Sequence, residues 1–243
     1  MSAKLFVAGA TGLTGRAVVA HARDRSIETI AHVRPDSSRL GHWEEHFGTL
    51  GAVVDTTPWD EGAMTEALRS HAPTAVLALL GTTRRRARRA AESGGDPAQE
   101  TYEAVDYGLT ALLRRAAEAS GVSPRFVYLS SMGAREGSNA YLSVRARIEA
   151  ELADGTLPWV VARPSFIVGE RDESRLGETV GAGALSGALG LLGALGATRL
   201  RDRYASINGD DLGRAMLELA LRDEVLGKVM QTDALRPLAE TSR

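Results

Sequence analysis

The chain has 243 residues, 44% hydrophobic and 25% charged, which suits one α/β unit with a small appendage and a sizeable core. A net charge of −2 argues against a general polyanion binder, and the absence of cysteine excludes disulfides, thiolate zinc sites and a cysteine nucleophile. The apolar run 5–10 is too short for a secretory leader and passes straight into glycines, and with no cysteine this sets a cytoplasmic expectation.

Strands and helices alternate along the chain. A strand is predicted over 4–8, a helix over 13–24 and a second strand over 27–33, after which Pro35 and two serines break the pattern. A short helix near 39–47, a strand over 50–54 and a helix over 60–71 follow. Residues 74–80, "TAVLALL", are almost wholly apolar, as a central parallel strand covered on both faces requires. A polar loop spans 82–98, a long helix 99–120, a strand 125–130, a helix 138–153 and a strand 158–163. Beyond Pro164 the alternation weakens until 209–222, which starts with acidic residues and runs as an amphipathic helix. This order implies a doubly wound parallel sheet, Rossmann-like, with ligands at the carboxyl ends of the strands. The whole chain, 1–243, reads as one domain, with about 165–205 forming a small lobe over that edge. Within that lobe 179–198 carries no charge, but its glycines at 187, 190, 193 and 196 favour a close helix contact, with a second copy or a partner, over a membrane span.

The stretch "LFVAGATGLTGRAV" carries the clearest chemistry. Gly9, Gly12 and Gly15 stand between a strand and a helix, where helix N–H groups and the positive dipole end can receive a phosphate. Thr11, Leu13 and Thr14 offer N–H groups, and the threonines add hydroxyls. The spacing is GxxGxxG rather than GxGxxG, so its weight comes from the strand–turn–helix context. At the end of the second strand, where an acidic residue would bind the ribose of NAD, stands Arg34, with Ser37, Ser38 and Arg39 close by. A guanidinium suits a 2′-phosphate, which favours NADP(H) over NAD(H). If Arg34 is merely solvated and Asp36 does the binding, the preference reverses.

With "GATGLTG", "LGTTR" at 80–84, "YLSSMGA" at 128–134, "YLSVRARIE" at 141–149 and "ARPSFIVGERDESRLGE" at 162–178, the chain resembles the atypical short-chain dehydrogenase/reductases, most closely their NmrA-like and Tat-interacting-protein-like branch, from about residue 3 to 220. The resemblance implies NADP(H) lying across the strand ends. Gly81, Thr82 and Thr83 would line it, Asp55 would approach the adenine, and the backbone of Pro164, Ser165 and Phe166 would hold the carboxamide. Ser130 and Ser131 would stand beside the nicotinamide. Tyr141 matches the family's proton-transferring tyrosine, but the lysine expected four residues on is Arg145. Arginine keeps the charge but cannot relay a proton at neutral pH. Asp106 stands where relatives carry a structural asparagine, either as an anchor for a water or the arginine, or as a solvated helix acid.

Two functions follow: a reductase of a small carbonyl or conjugated substrate using Tyr141, Ser131 and Arg145, or a redox sensor acting through a protein partner. The five arginines within 83–90 lack interleaved aromatics, so nucleic acid is disfavoured against solvated surface or a small anion. His42 and His46 have zincin spacing but not the zincin glutamate, and no metal is expected.

Overall fold

The computed structural model describes residues 2–82, 92, 98, 101–168 and 203–240. The strands are β1 (Lys4–Ala8), β2 (Glu28–His32), β3 (Val53–Asp55), β4 (Ala75–Ala78), β5 (Arg125–Leu129), β6 (Trp159–Arg163), β7 (Ile167–Val168), β8 (Ile207–Asn208) and β9 (Lys228–Gln231). The helices are α1 (Leu13–Asp24), α2 (Leu40–Thr49), α3 (Glu61–His71), α4 (Thr110–Ala119), α5 (Ala140–Asp154), α6 (Gly209–Leu221) and α7 (Thr232–Glu240), with a π-helical stretch, Tyr102–Leu109, leading directly into α4.

Seven strands form one parallel sheet in the order β3-β2-β1-β4-β5-β6-β9, and β7 pairs with β8 beside it. Side chains alternate across the sheet, so Leu5 and Val7 of β1 enter one core layer while Phe6 and Ala8 enter the other. The first layer includes Val18, Phe47, Leu212 and Met216, and the second Met64, Leu113, Ile148 and Leu152. β1 and β4 are buried almost end to end, which accounts for their unbroken apolar sequences.

The doubly wound sheet is as expected, and most element boundaries fall within a few residues of the sequence reading. The helix expected over 99–120 instead begins at Tyr102 as π-helix and becomes α-helical only at Thr110. The seventh strand and α7 were not anticipated. β9, "KVMQ", is a half-exposed edge strand with little apolar signal, and α7 contains Pro237. Most of the expected substrate lobe, 169–202, with its glycine-rich run 179–198, lies outside the described residues, as do the arginine cluster and Thr83. Among the described residues no helix is long and apolar enough to cross a membrane.

α1 is held against α6 by backbone proximity. A Cβ on Gly213 would strike Ala17 Cβ and lie 3.1 Å from Val18 N, and one on Gly209 would strike the Leu13 side chain. Gly213→Val must push the two helices apart, and an overpacked contact of this kind costs about 1–3 kcal/mol. Gly48 lies in α2 with nothing within 4 Å of its would-be Cβ. Gly48→Ala should therefore stabilise the protein by about 0.5–1 kcal/mol. Urea unfolding of the two variants should show shifts of opposite sign.

Candidate cofactor and active site

Because the sheet is parallel, the segments after β1, β2, β4, β5 and β6 all leave from the same edge. Ala8 of β1 lies opposite His32 of β2 and Ala78 of β4, so the glycine turn, Arg34 and Leu79–Thr82 emerge side by side. The strand order reverses direction between β1 and β4, and the crevice at such a switch point is where ligands bind in doubly wound sheets.

The three glycines have separate jobs. Gly9 has φ +87, and a Cβ there would sit 2.6 Å from Leu79 O, so the turn can press against β4 only with glycine. A Cβ on Gly15 would collide with Gly9 O and lie 2.8 Å from Ala10 Cα. Gly12 is the N-cap of α1, with its N–H donating to Gly9 O at 3.0 Å and no side-chain cap on the helix. The first-turn N–H groups, those of Leu13 and Thr14 among them, lack partners within the helix. Thr11 stands partly exposed in the turn itself. The start of α1, with glycine at its N-cap and no side-chain cap, fits a diphosphate.

Arg34 follows β2 at this edge. Its side chain is 42% exposed, and Nε lies 3.7 Å from Asp36 Oδ1, a loose pairing. Asp55, at the end of β3, is more committed. Its carboxylate accepts from Thr57 N (3.0 Å), Thr57 Oγ1 (3.1 Å) and His71 Nε2 (2.9 Å). Burial raises the Asp55 pKa, but the His71 and Thr57 donors outweigh it and hold the group below its ordinary value. His32, which the sequence reading missed, is buried beside it, with Nε2 2.8 Å from Thr57 O and Trp59 packed edge-on at 4.7 Å. Burial lowers the His32 pKa, against the opposing pull of Thr57 O and Asp55.

Arg145 lies at the centre of a buried hydrogen-bond network. Nη1 donates to Leu129 O at 2.6 Å and Tyr128 Oη at 3.3 Å. Nη2 donates to Leu80 O at 3.2 Å and to Asp106 Oδ1. The other Asp106 oxygen accepts from Thr82 N at 2.9 Å. Asp106 is fully buried, so it is neither a solvated helix acid nor a distant neighbour of the arginine but its counter-ion. Burial opposes the Arg145 charge, yet Tyr128, Tyr141 and Asp106 together keep its pKa raised. Burial also pushes the Tyr128 hydroxyl up to about 12. Gly81 lies over this network, since a Cβ there would sit 3.1 Å from Arg145 Nη2 and 3.5 Å from Asp106 Oδ1.

Tyr141 is the second residue of α5, which Asn139 caps by accepting from Leu142 N at 3.0 Å. Its ring is partly exposed, 5.2 Å from the Arg145 guanidinium carbon and 5.2 Å from the Tyr102 ring. The two serines part company. Ser130 is buried and donates to Glu149, whose carboxylate is clamped by Arg163 Nε at 2.9 and 3.0 Å. Ser131 is partly exposed, with Oγ making only a 3.5 Å contact to Met132 O. Glu149 and Arg163 were also missed, although a glutamate on the apolar face of a helix beside Ile148 and Leu152 is a readable sign of a buried pair. After β6, Pro164 O accepts from Met132 N (2.9 Å), Ser165 N donates to Thr232 Oγ1 (2.8 Å) and Phe166 O accepts from Ile207 N (2.9 Å). The Phe166 side chain is exposed. Among the described residues no cluster of histidines and carboxylates could hold a metal.

A family model described as NAD(P)H-binding matches residues 9–187. The chain is similar to protein fmp52, mitochondrial, of Aspergillus niger, at 28% identity over 90% of this chain and 88% of that one. It also superposes on a putative NAD-dependent epimerase/dehydratase from Bacillus halodurans (TM-score 0.67, 17% identity, 99% of this chain and 100% of that one). A third match is the UDP-glucose-4-epimerase of Stenotrophomonas maltophila with bound NAD (TM-score 0.63, 17% identity, 95% and 77%). The relatives correct the cytoplasmic expectation. The Aspergillus niger protein and its counterparts in other fungi are named as mitochondrial. A lack of cysteine reports redox chemistry, and it does not distinguish compartments that both keep thiols reduced. A glycine turn pressed on β4, an uncapped α1 at the switch point and a family match spanning both point to one conclusion: the chain belongs to the NAD(P)H-binding family, on a short-chain-dehydrogenase-like Rossmann fold.

Proposed function

We propose that the chain binds NADP(H) in preference to NAD(H) and reduces a small carbonyl or conjugated substrate. The observation that carries this reading is the convergence of the glycine turn, Ser131 and Tyr141 on one sheet edge. The α1 N-terminus would hold the diphosphate, and the partly exposed Arg34 the 2′-phosphate through a charge-assisted pair. The Pro164–Phe166 segment after β6 would flank the nicotinamide. A bound cofactor supplies the hydride. Tyr141 Oη would give a proton to the substrate oxygen, and Ser131 Oγ, little engaged within the protein, would orient that oxygen. Ser130 is turned to Glu149, so it supports the strand end rather than the substrate.

One observation favours the second reading, a redox sensor that signals to a protein partner. The Arg145 guanidinium spends its terminal donors on Leu80, Leu129, Tyr128 and Asp106, so it is not the ribose-binding cation that the family lysine provides. Tyr141 keeps that cation at its ring face only.

Removing a charge-assisted contact costs about 1.5–3 kcal/mol. Arg34→Ala should thus raise the Kd for NADPH roughly 10- to 100-fold while leaving that for NADH nearly unchanged, as read by nucleotide fluorescence titration. Equal weakening of both, or of neither, counts against the 2′-phosphate assignment. With a panel of carbonyls and quinones, Tyr141→Phe should slow NADPH consumption by about 100-fold or more without loss of binding. Turnover that ignores this substitution would remove the reductase mechanism and leave the sensor.

A further inference from the structure

The buried pair Asp106–Arg145 sits between the two halves of the proposed site, and its partners are the backbone groups that shape it. Asp106 lies on the π-helical stretch Tyr102–Leu109, a rare helix form that is over-represented at functional sites. Its two oxygens face different segments: Oδ2 accepts from Thr82 N in the loop after β4, and Oδ1 from Arg145 Nη2 on α5. The guanidinium carries the connection further, to Leu80 O after β4 and Leu129 O at the end of β5. Both charged side chains are at least nine-tenths buried, and only the width of Gly81 separates them from what lies above that loop.

On the reading that NADP(H) lies across these strand ends, we infer that Asp106 is a positioning residue. Through Thr82 N and Arg145 it fixes the Leu80–Thr82 loop, which faces the nicotinamide half of the cofactor. Doubly wound sheets hold a dinucleotide in two mononucleotide-binding halves. The adenosine half, with its 2′-phosphate, falls to β1–β3 and Arg34, while the β4–β6 half carries the Asp106 network. A disturbance of Asp106 must therefore weaken the whole dinucleotide but spare its adenosine part.

A carboxylate can accept from both Thr82 N and Arg145 Nη2, whereas an amide has one acceptor oxygen and turns an N–H₂ toward one of these two donors. Asp106→Asn is nearly the same size, so it tests this bond pattern with little change of volume. Arg145→Lys would recreate the family's usual tyrosine–lysine spacing. It should nevertheless behave as a loss, since a single ammonium cannot span Leu80 O, Leu129 O and Asp106 as a flat guanidinium does.

The test is titration of wild type, Asp106→Asn and Arg145→Lys with NADPH and, separately, adenosine 2′,5′-bisphosphate. The expected result is a Kd for NADPH raised about tenfold or more in both variants, with the bisphosphate Kd within twofold of wild type. If the single variants fail to fold, Asp106→Asn combined with Arg145→Gln keeps the site neutral and carries the same comparison. Equal weakening of both ligands would mark a general loss of structure and overturn the positioning role, as would no weakening of NADPH. Failure of the wild-type chain to bind NADPH would instead overturn the cofactor reading itself, and the inference with it.

Discussion

A guanidinium that never loses its proton has been drawn beneath the ends of two central strands, and the surrounding structure is organised by the need to satisfy it. Leaving such a charge unpaired in the interior would cost several kcal/mol. The counter-ion comes from a π-helical turn, and the two terminal nitrogens also meet the carbonyls of Leu80 and Leu129 and the Tyr128 hydroxyl. The same group lies under the Tyr141 ring. Strand ends, π-helix and the start of α5 are thereby tied to one planar fork, and each loses its anchor if any other moves.

A second buried pair repeats the pattern one strand over. Glu149 on α5 and Arg163 at the end of β6 meet over Ser130, so α5 is pinned to β4, β5 and β6 by charge at two levels. On the opposite side of the switch point the fixing is done by steric proximity instead: Gly9 against Leu79, and Gly15 against the turn itself. The crevice thus has one wall set by van der Waals contact of bare backbone and one set by buried ion pairs. Helix N–H groups open onto the first, and a neutralised network stands behind the second.

Period and punctuation made most of the sheet legible. The apolar runs at β1 and β4, and the glycine turn between β1 and α1, follow from local rules that the tertiary structure obeys. β9 and α7 were invisible for physical reasons: an edge strand buries little, and Pro237 argues against the helix it sits in. At the site, sequence could place Tyr141, Arg145 and the two serines at one edge, because parallel strands force their loops there. It could not say which serine is buried or that the guanidinium turns inward. Those depend on partners far along the chain, Glu149 for Ser130 and Asp106 for Arg145, and no local window contains both members. Asp55 is similar, since His71 lies on the next helix.

The packing of α6 on α1 also bears on the order in which the protein matures. Leu13, in the first turn of α1, rests on Gly209, and Ala17 rests on Gly213, so the glycine turn is buttressed by chain about two hundred positions later. Contacts of such sequence separation close late, because the loop entropy between them must be overcome first. The glycine turn thus gains this support only once those distant segments have been brought together. A ligand that recognises only the finished seat cannot guide the search for it. It acts afterwards as a latch, slowing escape from the native state while leaving the rate of arrival unchanged.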